Sequence, residues 1–161
     1  MPRKVKERRR DVPEKDHVAR YCNPQSVIRD PETGRVIGLF PDAFELRPKL
    51  KETYLSTHWM EYFDADNCDR QFKECLSALR VKHKNVKPSG VSARMSVGAV
   101  IAAGRQQALA IRVRDRSEAS DPGYSGIYGQ PLDNSDRQFL TMLSENCCVE
   151  IREIKEIDEL T

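Results

Sequence analysis

Long apolar runs are missing from this chain. The longest, Val97-Gly98-Ala99-Val100-Ile101-Ala102-Ala103, falls far short of the roughly 20 residues that cross a bilayer. No membrane partner is therefore expected. The N-terminus has no apolar core of the kind a secretory signal carries, so export is not expected either. Cysteine is sparse and unpatterned: Cys22, Cys68, Cys75, Cys147 and Cys148 are five in number, with no C-x-x-C. An odd count without spacing argues against a disulfide framework and for reduced thiols in the cytoplasm. The cysteines and the three histidines are scattered rather than grouped, so no metal site is expected. The phosphate-cradling glycine loop, the metalloprotease helix and the nucleophile elbow are also lacking. Internal repeats are missing, and so is the βαβ alternation of a doubly wound sheet.

What is present is a 161-residue chain with 39% hydrophobic and 32% charged residues, the size of one ordinary domain. The net charge of +2 is unevenly placed: residues 1–16 hold seven Lys or Arg against four Asp or Glu. Arg3, Lys4, Lys6, Arg8, Arg9 and Arg10 fall within the first ten residues. No apolar period runs through residues 1–16, which predicts a disordered basic arm ahead of a single domain over 17–161. Such an arm either solubilises or neutralises phosphates, in which case affinity falls with salt.

His17–Cys22 alternates and reads as a strand, with His17, Ala19 and Tyr21 on one face and Val18, Arg20 and Cys22 on the other. Asp30-Pro31-Glu32-Thr33-Gly34 predicts a tight turn between Val27-Ile28 and Val36-Ile37, and Ala43–Pro48 an extended piece. Thr53–Thr57 reads as a strand entering a short helix over His58–Phe63, capped by Ser56 or Thr57. Trp59, Tyr62 and Phe63 would then face inward. Cys68, Phe72, Cys75, Leu76 and Leu79 fall on one helical face, predicting a helix over 67–83 with both cysteines as core residues. Val91–Val100 and Ala108–Val113 read as strands, the second turning Leu109, Ile111 and Val113 inward and Arg112 and Arg114 to solvent. Residues 115–134 read as a long loop. Arg137–Asn146 reads as a helix with Phe139, Leu140 and Leu143 inward. Cys148–Ile154 reads as a closing strand, and the acidic tail extends it or turns helical. The pattern predicts an α+β protein: a mixed or antiparallel sheet carrying one long amphipathic helix (about 67–83) and a C-terminal helix.

Two groups of residues carry chemistry. The first centres on Tyr54–Phe63, which holds the single tryptophan and one of the three histidines. With the early strand it assembles His17, Arg20, Ser56, Thr57 and His58. An early strand bearing His or Arg, followed by Tyr54-Leu55-Ser56-Thr57, resembles the ADP-ribosyltransferase fold. That resemblance implies a small NAD-consuming enzyme in which Arg20 or His17 contacts the nicotinamide nucleotide and Ser56-Thr57 brace the pocket. Glu118 or Glu150 would be its later glutamate. The plainer reading gives Arg20 an ion pair, makes Ser56-Thr57 a helix cap and leaves His58 exposed.

The second group is Asp121-Pro122-Gly123-Tyr124-Ser125-Gly126-Ile127-Tyr128-Gly129-Gln130-Pro131. Tyrosines on a glycine-rich frame suit adaptable recognition. Tyr124 or Tyr128 would stack on bases, with Arg112 and Arg114 close in sequence. The plainer reading packs both tyrosines back on the sheet. The run from the Arg-Tyr strand to the Pro-Gly-Tyr-Ser-Gly-Ile segment is also similar to small uncharacterised bacterial proteins, a likeness that implies no activity. The expectation is a non-enzymatic accessory or binding component without a cofactor. It would meet a protein partner or a nucleic acid through the arm and the Tyr/Gly segment. The NAD-dependent enzyme is the alternative.

Overall fold

The computed structural model describes residues 10–161. The chain runs β1 (His17–Cys22), β2 (Val27–Arg29), β3 (Val36–Leu39), β4 (Tyr54–Trp59), α1 (Cys68–Lys82), β5 (Val91–Ser96) and α2 (Val97–Gln106). It continues through β6 (Arg112–Asp115), β7 (Tyr124–Tyr128), α3 (Arg137–Met142), β8 (Cys148–Glu153) and α4 (Ile154–Asp158). Six strands form one sheet in the order β6-β7-β4-β1-β5-β8, and β2 and β3 make a separate hairpin. Every pairing is antiparallel. The architecture is α+β, with the C-terminal helix α4 burying Ile154 and Ile157 beside Phe72, Cys75 and Leu76 of α1.

Strict alternation divides the sheet into two unlike faces. Val18, Leu55, Ala93, Met95, Val113 and Ile127 line the apolar face, over which Val97, Val100, Phe44, Phe139, Leu140 and Leu143 pack. The other face is polar, and α1 lies across part of it. The helix begins where Asn67 accepts a bond from the Arg70 amide at 3.0 Å. Its buried residues Phe72, Cys75 and Leu76 follow the apolar spacing seen in the sequence. All five cysteines are free. Burial raises the Cys22 and Cys147 thiols to about 11, which leaves them as core groups.

Several expected elements are corrected. Residues 10–16 belong to the fold and not to an arm. The Val12 amide donates to Val113 O at 2.8 Å, the Asp115 amide to Arg10 O at 2.9 Å, and Asp16 accepts from Trp59 Nε1 at 3.0 Å. Val12, at 2% exposure, supplies the apolar anchor. The helix expected over His58–Phe63 is instead the end of β4 followed by one tight turn at Met60–Tyr62. His58 and Trp59 gain ladder partners in Ala19 and Val18, and Met60 rather than Tyr62 goes inward. The strand expected through Val100 stops at Ser96, whose hydroxyl caps α2 by accepting from the Ala99 amide at 3.2 Å. Gly104 lets that helix close on the chain ahead of β6, because a Cβ there would meet Ile111 Cγ1 at 2.2 Å. The strand expected over 108–113 begins only at Arg112. The piece expected to be extended after Pro41 starts as a tight turn, Pro41–Phe44. The helix expected to Asn146 changes at Met142 into a wider turn over Leu143–Cys147.

The largest correction concerns the loop expected over 115–134. Its middle is β7, a strand inside the sheet, paired with β4 and β6. Tyr124, Gly126 and Tyr128 point to the polar face, while Ser125 and Ile127 are buried.

Candidate nucleic-acid interface

Three strands bring this site together. β4 places Tyr54, Ser56 and His58 on the polar face, and β7 sets Tyr128, Gly126 and Tyr124 opposite them. β6 adds Arg112 opposite Tyr128 and Arg114 opposite Gly126, with Arg116 continuing the same alternation. Gly126 is required there, since a Cβ would meet Tyr54 Cδ2 at 2.6 Å and Tyr128 Cε2 at 3.0 Å. With no side chain between them, the Tyr54 and Tyr128 rings lie 4.8 Å apart, tilted by 31°. Tyr54 and Tyr124 meet edge to face at 6.2 Å, within the range of favourable aromatic pairs.

Polar contacts fix the rings. The Tyr124 hydroxyl lies 3.0 Å from that of Tyr54 and 2.9 Å from Ser56 Oγ. Burial and then the Tyr124 hydrogen bond raise the Tyr54 phenol above its ordinary 10.0. The Arg116 guanidinium stands 4.7 Å over the Tyr54 ring and donates to the Tyr128 hydroxyl, a cation–π stack. Its Nε is buried and has no partner among the described residues. Arg112 and Arg114 face Asp11 at 3.2 and 3.9 Å. Such exposed pairs are weak and exchange readily.

Behind the tyrosines, His58 donates from Nε2 to Asp121 Oδ1 at 2.8 Å, both groups buried. Desolvation outweighs the carboxylate and holds the imidazole below its ordinary 6.5, so it is neutral at pH 7. Lys82 Nζ lies 3.4 Å from the other carboxylate oxygen and 5.6 Å over the Tyr124 ring. The end of α1 is thereby tied to the tyrosine cluster.

The residues singled out from the sequence are thus distributed. Arg112, Arg114, Tyr124 and Tyr128 share one face. Arg10 sits at the adjoining edge with its guanidinium 5.2 Å over Trp59 and 3.8 Å from Asp115. Arg3, Lys4, Lys6, Arg8 and Arg9 lie outside the described residues. The quintet His17, Arg20, Ser56, Thr57 and His58 is divided by strand alternation: Ser56, His58 and His17 take the polar face, Arg20 and Thr57 the apolar one. Among the described residues Arg20 makes no ion pair. It donates from Nε to Ala43 O at 2.8 Å and from Nη1 to Ser56 O at 2.9 Å, and burial lowers it from its ordinary 12.5. Thr57 does not cap a helix but bonds Ser125 Oγ at 2.7 Å. Glu118 is exposed in the turn ahead of β7, and Glu150 lies 3.0 Å from Arg152.

Arg116 and Lys82 were not named from the sequence, and Tyr54 and Asp121 stood there only as members of the Tyr54–Phe63 and Asp121–Pro131 stretches. The alternations Tyr54-x-Ser56-x-His58 and Arg112-x-Arg114-x-Arg116 carry the signal for two of them. Lys82 and Asp121 carry none, because their meeting depends on where α1 ends. Among the described residues, no group of three or more His, Cys, Asp or Glu is placed to hold a metal ion. No described helix is long and apolar enough to cross a membrane. Comparison with protein-family models, with curated proteins and with solved structures finds no match.

Proposed function

We propose that this chain is a non-enzymatic accessory protein that binds single-stranded nucleic acid across the β4-β7-β6 face. One observation carries the reading: Tyr54, Tyr124 and Tyr128 share a sheet face with Arg112, Arg114 and Arg116. Aromatic rings on an open antiparallel surface stack unpaired bases of any sequence. Arginines along the neighbouring strand meet the phosphates with planar, bidentate donors. The Arg112–Asp11 pair is exposed, so a phosphate displaces that carboxylate from Arg112 at little cost. A duplex keeps its bases stacked inside and offers this face only its backbone.

The test is fluorescence anisotropy with labelled single-stranded RNA and DNA oligonucleotides against a duplex of the same length. Single strands bind more tightly than duplex. Tyr128→Ala weakens binding by about 1–3 kcal/mol, the range for loss of one stacked base. Arg112→Ala weakens it less, and more uniformly across sequences. Absence of binding, or binding indifferent to both substitutions, overturns the proposal.

A further inference from the structure

On the same sheet face, beyond the tyrosine cluster, α1 starts above β1 and β5 and leaves an open cleft of about 550 Å³. That volume suits a small molecule. Its walls carry Arg94, Gln71, His17, Glu61, Lys15 and Asp66, and none of these is used by the nucleic-acid reading.

Two of them, Arg94 and Gln71, hold buried polar atoms without a partner among the described residues. Glu61 Oε1 lies 2.6 Å from His17 Nδ1, and Glu61 Oε2 accepts from the His17 amide at 2.8 Å. A carboxylate accepts only, so Nδ1 carries the proton. The Arg94 Nη2 that lies 3.3 Å from the same Nδ1 then has no lone pair to donate to. Arg94 Nε is buried and unpartnered, and Arg94 makes no ion pair among the described residues. Glu150, opposite Arg94 in the ladder, is engaged by Arg152 at 3.0 Å. Gln71 is 3% exposed; its amide nitrogen donates to Asp64 O, while its Oε1 is buried without a donor. A cation lacking an acceptor and a buried acceptor lacking a donor therefore line one cleft. Each is costly to leave unmade.

Together the two specify a ligand: an oxyanion for Arg94 and a neighbouring N–H for Gln71. The charged walls decide its net charge. Lys15 and Arg94 stand against three carboxylates, Asp16, Glu61 and Asp66, so a polyanion is repelled and the ligand must bring a cation of its own. We propose that the cleft binds a small zwitterion of the α-amino-acid class, its carboxylate on Arg94 and its ammonium toward Gln71 Oε1, His17 Nε2 and the Glu61–Asp66 side.

The experiment is a thermal-shift screen of the full chain against the free amino acids, with AMP and inorganic phosphate in parallel, followed by calorimetric titration of any hit. At least one amino acid raises Tm, and Arg94→Gln weakens its binding at least tenfold. The ligand-free Arg94→Gln protein melts no lower than wild type, because the arginine it loses has no partner; a purely structural arginine would give a lower Tm. Should that variant fail to fold, ¹⁵N spectra of the arginine Nε–H groups in wild type supply the readout, with the Arg94 signal moving on addition of the amino acid. No shift with any amino acid, an Arg94 signal that stays fixed, or binding of AMP or phosphate alone overturns the proposal.

Discussion

His58 is the residue at which burial and charge are most finely opposed. Its imidazole bonds Asp121 with Lys82 alongside, yet desolvation keeps its folded-state pKa below 6.5. The unfolded chain therefore takes up a proton first as pH falls. The stability His58 provides is complete above pH 6.5 and is lost as the pH drops through that value toward the folded pKa, by up to about 1.4 kcal/mol per pH unit. Urea midpoints of wild type and His58→Gln measured at pH 7.5 and 5.5 check this. Wild type exceeds the variant at pH 7.5, and the gap narrows at pH 5.5. Titrating groups remote from His58 cancel in that difference. Legibility also divides at this scale. Arg112, Arg114, Tyr124 and Tyr128 were visible because alternation or composition marked them. Arg94, Gln71 and Glu61 were not, since what distinguishes them is a partner they have or lack in space.

Among the elements, β7 shows why parts of the fold escaped the sequence. Tyr-Ser-Gly-Ile-Tyr alternates as a strand should, but Asp121-Pro122-Gly123 before it and Gly129-Gln130-Pro131 after it read as loop. The strand forms because β4 and β6 supply partners on both sides, an override by tertiary pairing. The Ala/Gly-rich run after Ser96 misled in the opposite direction, since a short apolar segment has no clear period. By contrast α1 was legible because its apolar residues hold the helical spacing over several turns, and β1 because its two faces differ. Gly126 gives β7 its test. Gly126→Ala forces the Tyr54 and Tyr128 rings to move and costs roughly 1–3 kcal/mol, read as a lower urea midpoint at unchanged m-value. Nucleic-acid affinity falls with it, because the same two rings form the stacking surface.

For the whole molecule, the border strand β6 carries Arg112 and Arg114. The described fold begins at Arg10, beside β6, and the five basic residues Arg3, Lys4, Lys6, Arg8 and Arg9 precede that point in the chain. Under the nucleic-acid reading their contacts are purely electrostatic, and binding falls with the logarithm of salt at a slope of about −0.7 per phosphate neutralised. Deleting residues 1–9 makes that slope shallower and leaves the preference for single strands intact, which anisotropy across a salt series checks. A deletion that flattens nothing removes residues 1–9 from the interface.

The Arg10–Val12 segment has a second consequence. By donating to Val113 O and accepting from the Asp115 amide, it occupies backbone groups that β6, the last strand of the sheet, would otherwise leave open. A bare outer strand is a template on which another chain can add. The first few residues of the described fold thus also act as a guard against self-association, and a truncation carried past Val12 exposes a sticky border that one ending at Arg9 keeps sealed.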